Sequence, residues 1–414
     1  MRSYSILIIC WDLPPNKGIG GRRWAKMAKS FLKLGAKVAV LNRANKVNKF
    51  EPVWISKEVF SSLEMYSIKE NVFVKWLNDY SSPFRSFRIR FAKLALSFIS
   101  KGTIYDKAIG IEDRFLKTVS NIIEKNKLEL ICVTGAPFNL LYYCAKLKKK
   151  FPNIKIVADY RDPWMNAQNY GMKNLSYNRK VHELEKQDLV FENVDLVTAP
   201  NLFLLNEIKA TYAGGGTIKA QFTELSHAFD PDDVVLTKEK KGTNGVNIVY
   251  AGALYIGCEP YLQLLNDSVI YFLQHSKNAD LKINIYTDDV NKGKIFASSN
   301  DHIIVSPSIH TKVFDEINSS DLIIILLSEH NKNYVTSKFY EFLPYKKPFL
   351  YLGPKGYVYQ KIKDEKLGFC LDKKEDLLTI LSSEFGSFSK DLDLSKYTFD
   401  HVASDLLTKV MNAN

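Results

Sequence analysis

Short apolar runs bounded by turn residues recur along the chain and alternate with longer amphipathic stretches. In the first half, the runs that predict strands are residues 5–10, 38–41, 128–134, 154–158 and 196–199. In the second half they are residues 246–251, 281–286, 303–306, 322–327, 349–351 and 369–371. Strands separated by helices are typical of parallel sheets, because a parallel pair needs a long crossover. The sequence therefore predicts an α/β fold with two parallel sheets.

The length of the chain predicts two domains. With 414 residues it exceeds a typical domain of roughly 100 to 200 residues. The segment 227–245 is rich in Asp, Lys and Gly and separates the two series of strands. We expect an N-terminal domain over residues 1–229 and a C-terminal domain over residues 230–414, with a last helix able to pack back on the first. Two such sheets predict a ligand cleft where the carboxyl ends of their strands face each other.

The charge of the chain is concentrated in its first half. Residues 1–200 hold 34 Lys and Arg against 18 Asp and Glu, whereas the remainder holds 23 against 27. This asymmetry suggests that one domain faces a polyanion, either nucleic acid or an anionic membrane surface.

No apolar stretch reaches the ~20 residues that span a bilayer, and five widely spaced cysteines argue against a disulfide framework. We expect a cytoplasmic protein, with attachment to the inner face of the membrane left open.

Residues 333–350 (NYVTSKFYEFLPYKKPFL) predict an anion site. A helix that begins near Ser337 would point unpaired N–H groups, equivalent to about half an elementary charge, at a phosphate. Lys338 would add a full charge. Glu341 lies four residues after Ser337, where its carboxylate could accept hydrogen bonds from a ribose diol. The alternative is a capped amphipathic helix followed by a buried strand.

Three other segments carry candidate residues. After the first strand, Gly20 and Gly21 precede a helical pattern that runs to Leu34, and glycines there would allow a ligand close to the backbone. Their spacing differs from the GxGxxG motif of dinucleotide-binding folds. The alternative to a ligand site is a simple turn. Asp159-Tyr160-Arg161-Asp162 follows a buried strand, so Arg161 and Asp162 are candidates for phosphate and sugar contacts, while Asp159 could instead pair with Arg161. After the strand at 246–251, Gly252 could let a diphosphate approach the backbone, and Tyr255 could be a ligand contact or a loop anchor.

An aromatic stripe predicts a helix with an unusual surface. Residues Phe84, Phe87, Phe91, Leu94, Ala95 and Phe98 recur at helical spacing. The basic residues Arg85, Arg88, Arg90 and Lys93 fall mostly on other faces. This pattern resembles an interfacial helix at a membrane, and a core-facing helix with a solvated basic side is the alternative.

Together these motifs resemble the GT-B glycosyltransferases of the family 4 type. The shared segments are residues 14–24, 159–164, 250–255 and 337–348. The resemblance implies two Rossmann-like domains, a nucleotide-sugar donor bound mainly by the second, an acceptor bound by the first, and no metal or other cofactor. It implies that Gly20 and Gly21 approach the donor phosphates, that Lys338 neutralises them and that Glu341 holds the ribose. The acceptor would be a glycan or a lipid-diphosphate-linked glycan in surface polysaccharide synthesis.

The sequence departs from the family pattern at the donor side. Asn333 stands where many relatives have the first of two glutamates, with Glu329 as a possible replacement. The Arg and Lys that often follow the first C-terminal strand are absent from residues 252–260. Retention of configuration is expected, and inversion would require Asp162 or Asp12 as the base. A catalytically inactive GT-B partner is therefore an alternative, and a nucleic-acid-binding protein is a weaker one, because the chain lacks zinc-ligand spacing and RNA-binding aromatic signatures.

Overall fold

The computed structural model divides the chain into two compact units. Unit 1 comprises residues 1–226 and 399–414, and unit 2 comprises residues 227–398. The structure describes residues 4–16, 19–44, 54–79, 84–167, 170–236, 245–276, 280–297, 300–383, 385 and 392–413, apart from the side chains of 19 and 310–312. The division falls between Ser226 and His227, three residues before the position expected from the sequence, and the last helix belongs to unit 1.

Unit 1 is built on a seven-stranded parallel sheet. Its strands are β1 (Ser5–Ile9), β2 (Lys37–Arg43), β3 (Glu64–Ile68), β4 (Leu130–Gly135), β5 (Lys155–Tyr160), β6 (Leu196–Ala199) and β7 (Gln221–Glu224). They are ordered β3-β2-β1-β4-β5-β6-β7. Its helices are α1 (Arg22–Lys33), α2 (Lys57–Ser61), α3 (Val72–Leu77), α4 (Arg85–Ile99), α5 (Glu112–Asn126), α6 (Asn139–Leu147), α7 (Tyr177–Asn193) and α8 (Leu202–Lys209).

Unit 2 is built on a six-stranded parallel sheet. Its strands are β8 (Val246–Ala251), β9 (Leu281–Tyr286), β10 (Ile303–Ser306), β11 (Leu322–Leu326), β12 (Phe349–Leu352) and β13 (Gly368–Cys370), ordered β10-β9-β8-β11-β12-β13. Its helices are α9 (Glu259–His275), α10 (Val290–Ala297), α11 (His310–Ser319), α12 (Ser337–Phe342), α13 (Tyr357–Asp364) and α14 (Asp376–Leu381). The two parallel sheets predicted from the sequence are confirmed.

Central strands are buried on both faces, which explains their continuous apolar sequences. All five residues of β11, LIIIL, are buried, as are all six of β4, LICVTG. The two strands missed by the sequence analysis, β3 and β7, lie at the edges of the first sheet. Their sequences, EMYSI and QFTE, are partly exposed and contain polar residues among the apolar ones. An edge strand buries too little surface to need an apolar run, so the pattern was too weak to predict either one.

The C-terminal helix α15 (Phe399–Met411) packs on α1 within unit 1. The Ser30 hydroxyl donates a hydrogen bond to Asp400 Oδ1 at 2.5 Å, and Lys33 Nζ lies 3.2 Å from Asp400 Oδ2. Val402 and Leu406 are buried along the same helix. The end of the chain therefore completes the core of the unit in which the chain begins.

The five cysteines are unpaired thiols, and four of them are buried. Within the described ranges, no helix combines the length and the hydropathy that crossing a membrane requires.

Candidate functional site

In unit 2 the strand order reverses between β8 and β11. The chain leaves β8 toward β9 on one side and leaves β11 toward β12 on the other. Loops that follow the carboxyl ends of such neighbouring strands diverge and leave a crevice, which is the usual ligand site of an open parallel sheet. The loop after β8 begins at Gly252, and the segment after β11 leads into α12 with Lys338. The strand order thus brings Gly252 and Lys338 together.

Lys338 is fixed at the end of β8 by its ammonium group. Its Nζ donates a hydrogen bond of 2.8 Å to the carbonyl oxygen of Ala251, the last residue of the strand. A Cβ atom on Gly252 would lie 3.2 Å from this Nζ and 2.6 Å from the hydroxyl oxygen of Tyr250. Glycine is therefore needed where the main chain passes the Tyr250 hydroxyl and the Lys338 ammonium, and its lack of a side chain lets this cation lie close to the main chain.

The electrostatic state of Lys338 is set by its burial. Desolvation lowers the pKa of Lys338 below its ordinary value of 10.5, while the negative charges of Glu341 and Asp288 act in the opposite direction. A half-buried ammonium costs free energy unless an anion compensates it. An incoming phosphate would supply that anion.

Helix α12 begins at Ser337, where the sequence predicted a helix start, and is short. It has six residues, Ser337–Phe342, and continues as a 3-10 turn over Leu343–Tyr345. A helix of this length contributes little dipole, so Lys338 rather than the helix start supplies most of the positive charge. Ser337 and Glu341 are half-buried on this helix, and Glu341 is close enough to influence the titration of Lys338.

The loop after β8 is held by two residues that the sequence analysis missed. Lys292 Nζ donates to the carbonyl oxygens of Leu254 at 3.0 Å and Tyr255 at 2.9 Å, and Asp289 Oδ2 accepts from the Leu254 N–H at 3.1 Å. The Tyr255 side chain is 46% exposed. Tyr255 is therefore not a buried loop anchor, and its ring is available to a ligand.

The first turn of α9 carries the carboxylate of Glu259. Glu259 Oε1 lies 2.7 Å from Lys292 Nζ, and Glu259 Oε2 accepts from the Gly257 N–H at 2.6 Å. Glu329, the suggested substitute for the missing family glutamate, accepts a 2.8 Å hydrogen bond from the Tyr261 hydroxyl. Both carboxylates are thus occupied by contacts within this unit.

In unit 1 the strand order reverses between β1 and β4, and β5 lies next to β4. Asp159, near the end of β5, is completely buried. It accepts hydrogen bonds from Trp24 Nε1 at 2.8 Å, Thr134 Oγ1 at 3.1 Å and Thr198 Oγ1 at 3.0 Å, and Arg23 Nη1 lies 3.6 Å away. The alternative that Asp159 pairs with Arg161 is wrong, because Asp159 instead ties α1 to the sheet.

Arg161 pairs with its neighbour Asp162 and packs against the segment of Gly20 and Gly21, here called the glycine loop. Its Nε lies 3.2 Å from Asp162 Oδ2. A Cβ atom on Gly20 would lie 1.9 Å from Arg161 Nη1, and one on Gly21 would lie 2.1 Å from the main-chain oxygen of Asp12. The space that these glycines leave is therefore filled by atoms of this chain, and their assignment to donor phosphates stays a prediction.

Helix α4 exposes its aromatic face. The side chains of Phe84, Phe87, Phe91, Leu94 and Phe98 are 46% to 83% exposed, whereas only Ala92 and Leu96 of the helix are buried. The alternative of a core-facing helix is wrong. The exposed rings also meet each other, since Phe87 stacks on Phe91 with centroids 6.4 Å apart.

The basic residues of α4 differ in their surroundings. Arg88 lies over the Trp76 ring at 5.6 Å, and its Nη1 is 3.7 Å from Asp79 Oδ2. Arg90 is exposed. Arg85 and Lys93 line a cavity of about 470 Å³ together with Arg161 and Asp162. Two groups of residues that the sequence analysis treated separately therefore share one cavity.

Two other chemistries have no support in the described residues. Burial raises the pKa of Cys10 to about 12, so this thiol, beside the glycine loop, stays protonated at neutral pH. Within the described ranges, no three His, Cys, Asp or Glu side chains form a group that could hold a metal ion.

Comparison with known proteins supports the fold. No protein-family model and no curated protein sequence matches the chain. Similar solved structures include the lipopolysaccharide outer core galactosyltransferase WaaB in its apo form, which is 10% identical with a TM-score of 0.59 and coverage of 98% of this chain and 99% of that chain. Another is trehalose-6-phosphate from E. coli bound with UDP-2-fluoro glucose, at 10% identity, a TM-score of 0.63 and 99% coverage of both chains. A third is the UDP-forming α,α-trehalose-phosphate synthase from Burkholderia xenovorans in complex with glucose-6-phosphate, at 7% identity, a TM-score of 0.61 and coverage of 99% and 100%. The resemblance inferred from the motifs is thereby confirmed at the level of the fold, and the chain has the two-unit α/β architecture of the GT-B glycosyltransferases.

Proposed function

We propose that this protein is a glycosyltransferase that moves a sugar from a nucleotide-diphosphate donor to a hydroxyl of a glycan or lipid-linked acceptor in surface polysaccharide synthesis. The observation that carries the proposal is the Lys338 ammonium, held 2.8 Å from the Ala251 oxygen and close to Gly252. This cation lies at the point of strand reversal in unit 2, where a GT-B protein is expected to hold its donor.

Departure of the nucleotide diphosphate is the difficult step in such a transfer. Negative charge develops on the leaving phosphate, and a fixed cation stabilises it more in the transition state than in the ground state. Lys338 has that role in our proposal, with the main chain at Gly252 and Ser337 alongside. Glu341 would hold the ribose, and the exposed Tyr255 ring would pack on the donor.

We expect retention of configuration. In that chemistry the leaving phosphate takes the proton of the acceptor hydroxyl, and no nucleophile from the protein is needed. Arg161 and Asp162 would orient the acceptor in unit 1. No metal or other cofactor enters this scheme.

The aromatic face of α4 supports attachment to an anionic membrane surface. Exposed rings at Phe84, Phe87 and Phe98 would enter the interface, and Arg90 would face lipid phosphates. At roughly 1 kcal/mol per basic residue, such attachment would be reversible. A cytoplasmic protein that binds the inner face of the membrane fits this surface.

The direct experiment is a transfer assay with purified protein. A panel of nucleotide-diphosphate sugars and lipid-diphosphate-linked glycans would be incubated with the protein, and the products identified by mass spectrometry. Formation of a glycosidic product supports the proposal, and the anomeric configuration of the product decides between retention and inversion.

A second candidate is an inactive GT-B protein that docks on an active transferase. It is favoured by the carboxylate of Glu259 in the first turn of α9, which opposes anion binding, and by Asn333 in place of an acidic residue. Donor binding without transfer or hydrolysis would select this candidate.

A further inference from the structure

The cavity between α4 and the end of β5 carries an excess of positive charge. Among the described residues, its lining includes four cations, Arg85, Lys93, Lys107 and Arg161, against the carboxylate of Asp162. Since Arg161 is paired with Asp162 at 3.2 Å, no other carboxylate among the described lining residues is left for Lys93 and Lys107. A neutral sugar does not explain such an excess.

Two of these cations have no counter-ion of their own. In the part of the chain that the structure describes, neither Lys93 nor Lys107 forms an ion pair. Lys93 is exposed and Lys107 is half-buried, so both ammonium groups can reach a ligand in the cavity. Lysine ammonium groups bind phosphate oxygens strongly, as point charges with three donors each.

The segments that carry the lining cations are held by polar contacts. Arg179 donates to the main-chain oxygens of Ser97 at 3.1 Å, Ser100 at 3.1 Å and Gly102 at 2.6 Å, which anchors the C-terminal end of α4. Next to Lys107, the buried Asp106 accepts from the Ala108 N–H at 2.8 Å and the Phe138 N–H at 2.6 Å. The cations are therefore carried by held segments, which reduces the entropy lost on binding.

We propose that this cavity binds a phosphate or diphosphate group of the acceptor, with Lys93, Lys107 and Arg85 as its ligands. This inference rests on the proposed function and names the class of its acceptor. The exposed aromatic face of α4 begins beside the cavity, since Phe84 and Arg85 are neighbours in sequence. An acceptor with an apolar chain joined to a phosphate group therefore matches both features.

The test is lysine-by-lysine amine labelling of the full-length protein, read by mass spectrometry, with and without inorganic pyrophosphate. We expect pyrophosphate to slow the labelling of Lys93 and Lys107 by about tenfold, as two charge-assisted contacts would. The exposed Lys117 on α5 is the internal control and should label at the same rate throughout. Unchanged labelling of Lys93 and Lys107, or equal protection of Lys117, overturns the proposal.

The same experiment separates this inference from the proposed function. Lys338 reports the donor site independently, so protection of Lys338 without protection of Lys93 and Lys107 overturns only the inference about the cavity. Protection of Lys93 and Lys107 in a protein that neither binds nucleotide-sugars nor transfers sugar overturns the proposed function and leaves a phosphate site.

Vesicles distinguish the two sources of the phosphate. Vesicles that carry a polyprenyl diphosphate should protect Lys93 and Lys107 in the wild type, and the variant with Lys93→Gln and Lys107→Gln should bind them about tenfold more weakly than Lys117→Gln does. Equal protection by phosphatidylglycerol vesicles assigns the cavity to a lipid headgroup and not to the acceptor, which contradicts the proposal. Protection by soluble pyrophosphate but not by the diphosphate lipid indicates a soluble phosphorylated acceptor.

Discussion

The ammonium group of Lys338 donates a 2.8 Å hydrogen bond to the carbonyl oxygen of Ala251, the last residue of β8. This contact joins the two segments that follow the reversing strands β8 and β11. It also sets Nζ beside Gly252, where a side chain would crowd it. A cation that is half-buried and fixed at this point is prepared for an anion before one arrives.

The pH dependence of donor binding should report the burial of Lys338. Because its pKa in the folded protein is lowered below 10.5, Lys338 loses its proton at a lower pH than an ordinary lysine does. We expect affinity for a nucleotide-diphosphate sugar to fall as pH rises through that lowered pKa. A calorimetric pH series would measure this decrease, and Lys338→Met should lack it.

The contribution of Lys338 to the stability of the ligand-free protein should rise with pH, whereas donor affinity should fall. Between the lowered pKa and 10.5, the unfolded chain holds the Lys338 proton and the folded chain does not, so the contribution of this group to the free energy of unfolding rises with pH. Comparing the pH dependence of urea unfolding in the wild type and Lys338→Met isolates this contribution. A wild-type contribution that falls over this range would contradict the assigned burial.

Substitutions at the two glycines should separate catalysis from stability. In Gly20→Ala the new methyl group meets the end of the Arg161 side chain, which can move, so we expect a change in unfolding free energy below about 1 kcal/mol and roughly tenfold slower transfer. In Gly21→Ala the methyl group meets the main chain at Asp12, which cannot swing aside, so stability should fall. Gly215→Ala is the control, because nothing lies within 4 Å of its added carbon. Full activity of a stable Gly20→Ala would remove Arg161 from the site.

Asp159 should be essential to the stability of unit 1. Asp159→Ala leaves Arg23 buried without this carboxylate and removes an acceptor from Trp24, Thr134 and Thr198. The expected loss is about 3 to 5 kcal/mol, measured by urea denaturation. Asp113→Ala on the exposed start of α5 is the control and should cost about 1 kcal/mol or less. A loss for Asp159→Ala no larger than that of the control would contradict the network.

Attachment to membranes should depend on the exposed rings of α4. The double variant with Phe87→Ser and Phe98→Ser removes two side chains that are 71% and 83% exposed and should reduce flotation with anionic vesicles by about tenfold or more. Tyr177→Ser is the control, since this ring is 80% exposed elsewhere in unit 1. Equal flotation of wild type with neutral vesicles would argue against the charged contribution.

The sequence predicted the fold better than it predicted the site. The strands β8 and β9 begin and end where the sequence analysis predicted, because the burial of most of their residues requires a mainly apolar run. The contact between Lys338 and Ala251 is made between residues far apart in sequence, and no local pattern encodes it. Lys107 was missed for the same reason, because only the fold places it in one cavity with Arg161.

The resemblance to a family suggested Lys338 but not how the rest of the donor site is held. Lys292 and Asp289 follow a different strand from the loop that they fix, so neither stands out in sequence. In the glycine loop, a residue that the sequence did single out has a different neighbour from the one expected. Gly20 was assigned to the donor phosphates, but the position of its missing side chain is taken by Arg161. A sequence motif indicates which residues are candidates for a site, and the three-dimensional fold determines which groups each residue contacts.

The central claim is that Lys338 binds the diphosphate of a nucleotide-sugar. Titration calorimetry of the wild type, Lys338→Met and the exposed-lysine control Lys373→Met against a panel of nucleotide-diphosphate sugars tests it most directly. We predict that at least one donor binds the wild type and Lys373→Met alike and binds Lys338→Met about 10-fold to 100-fold more weakly, as expected for a lost charge-assisted hydrogen bond. Equal affinity of all three proteins, or no binding of any donor to the wild type, would contradict the account.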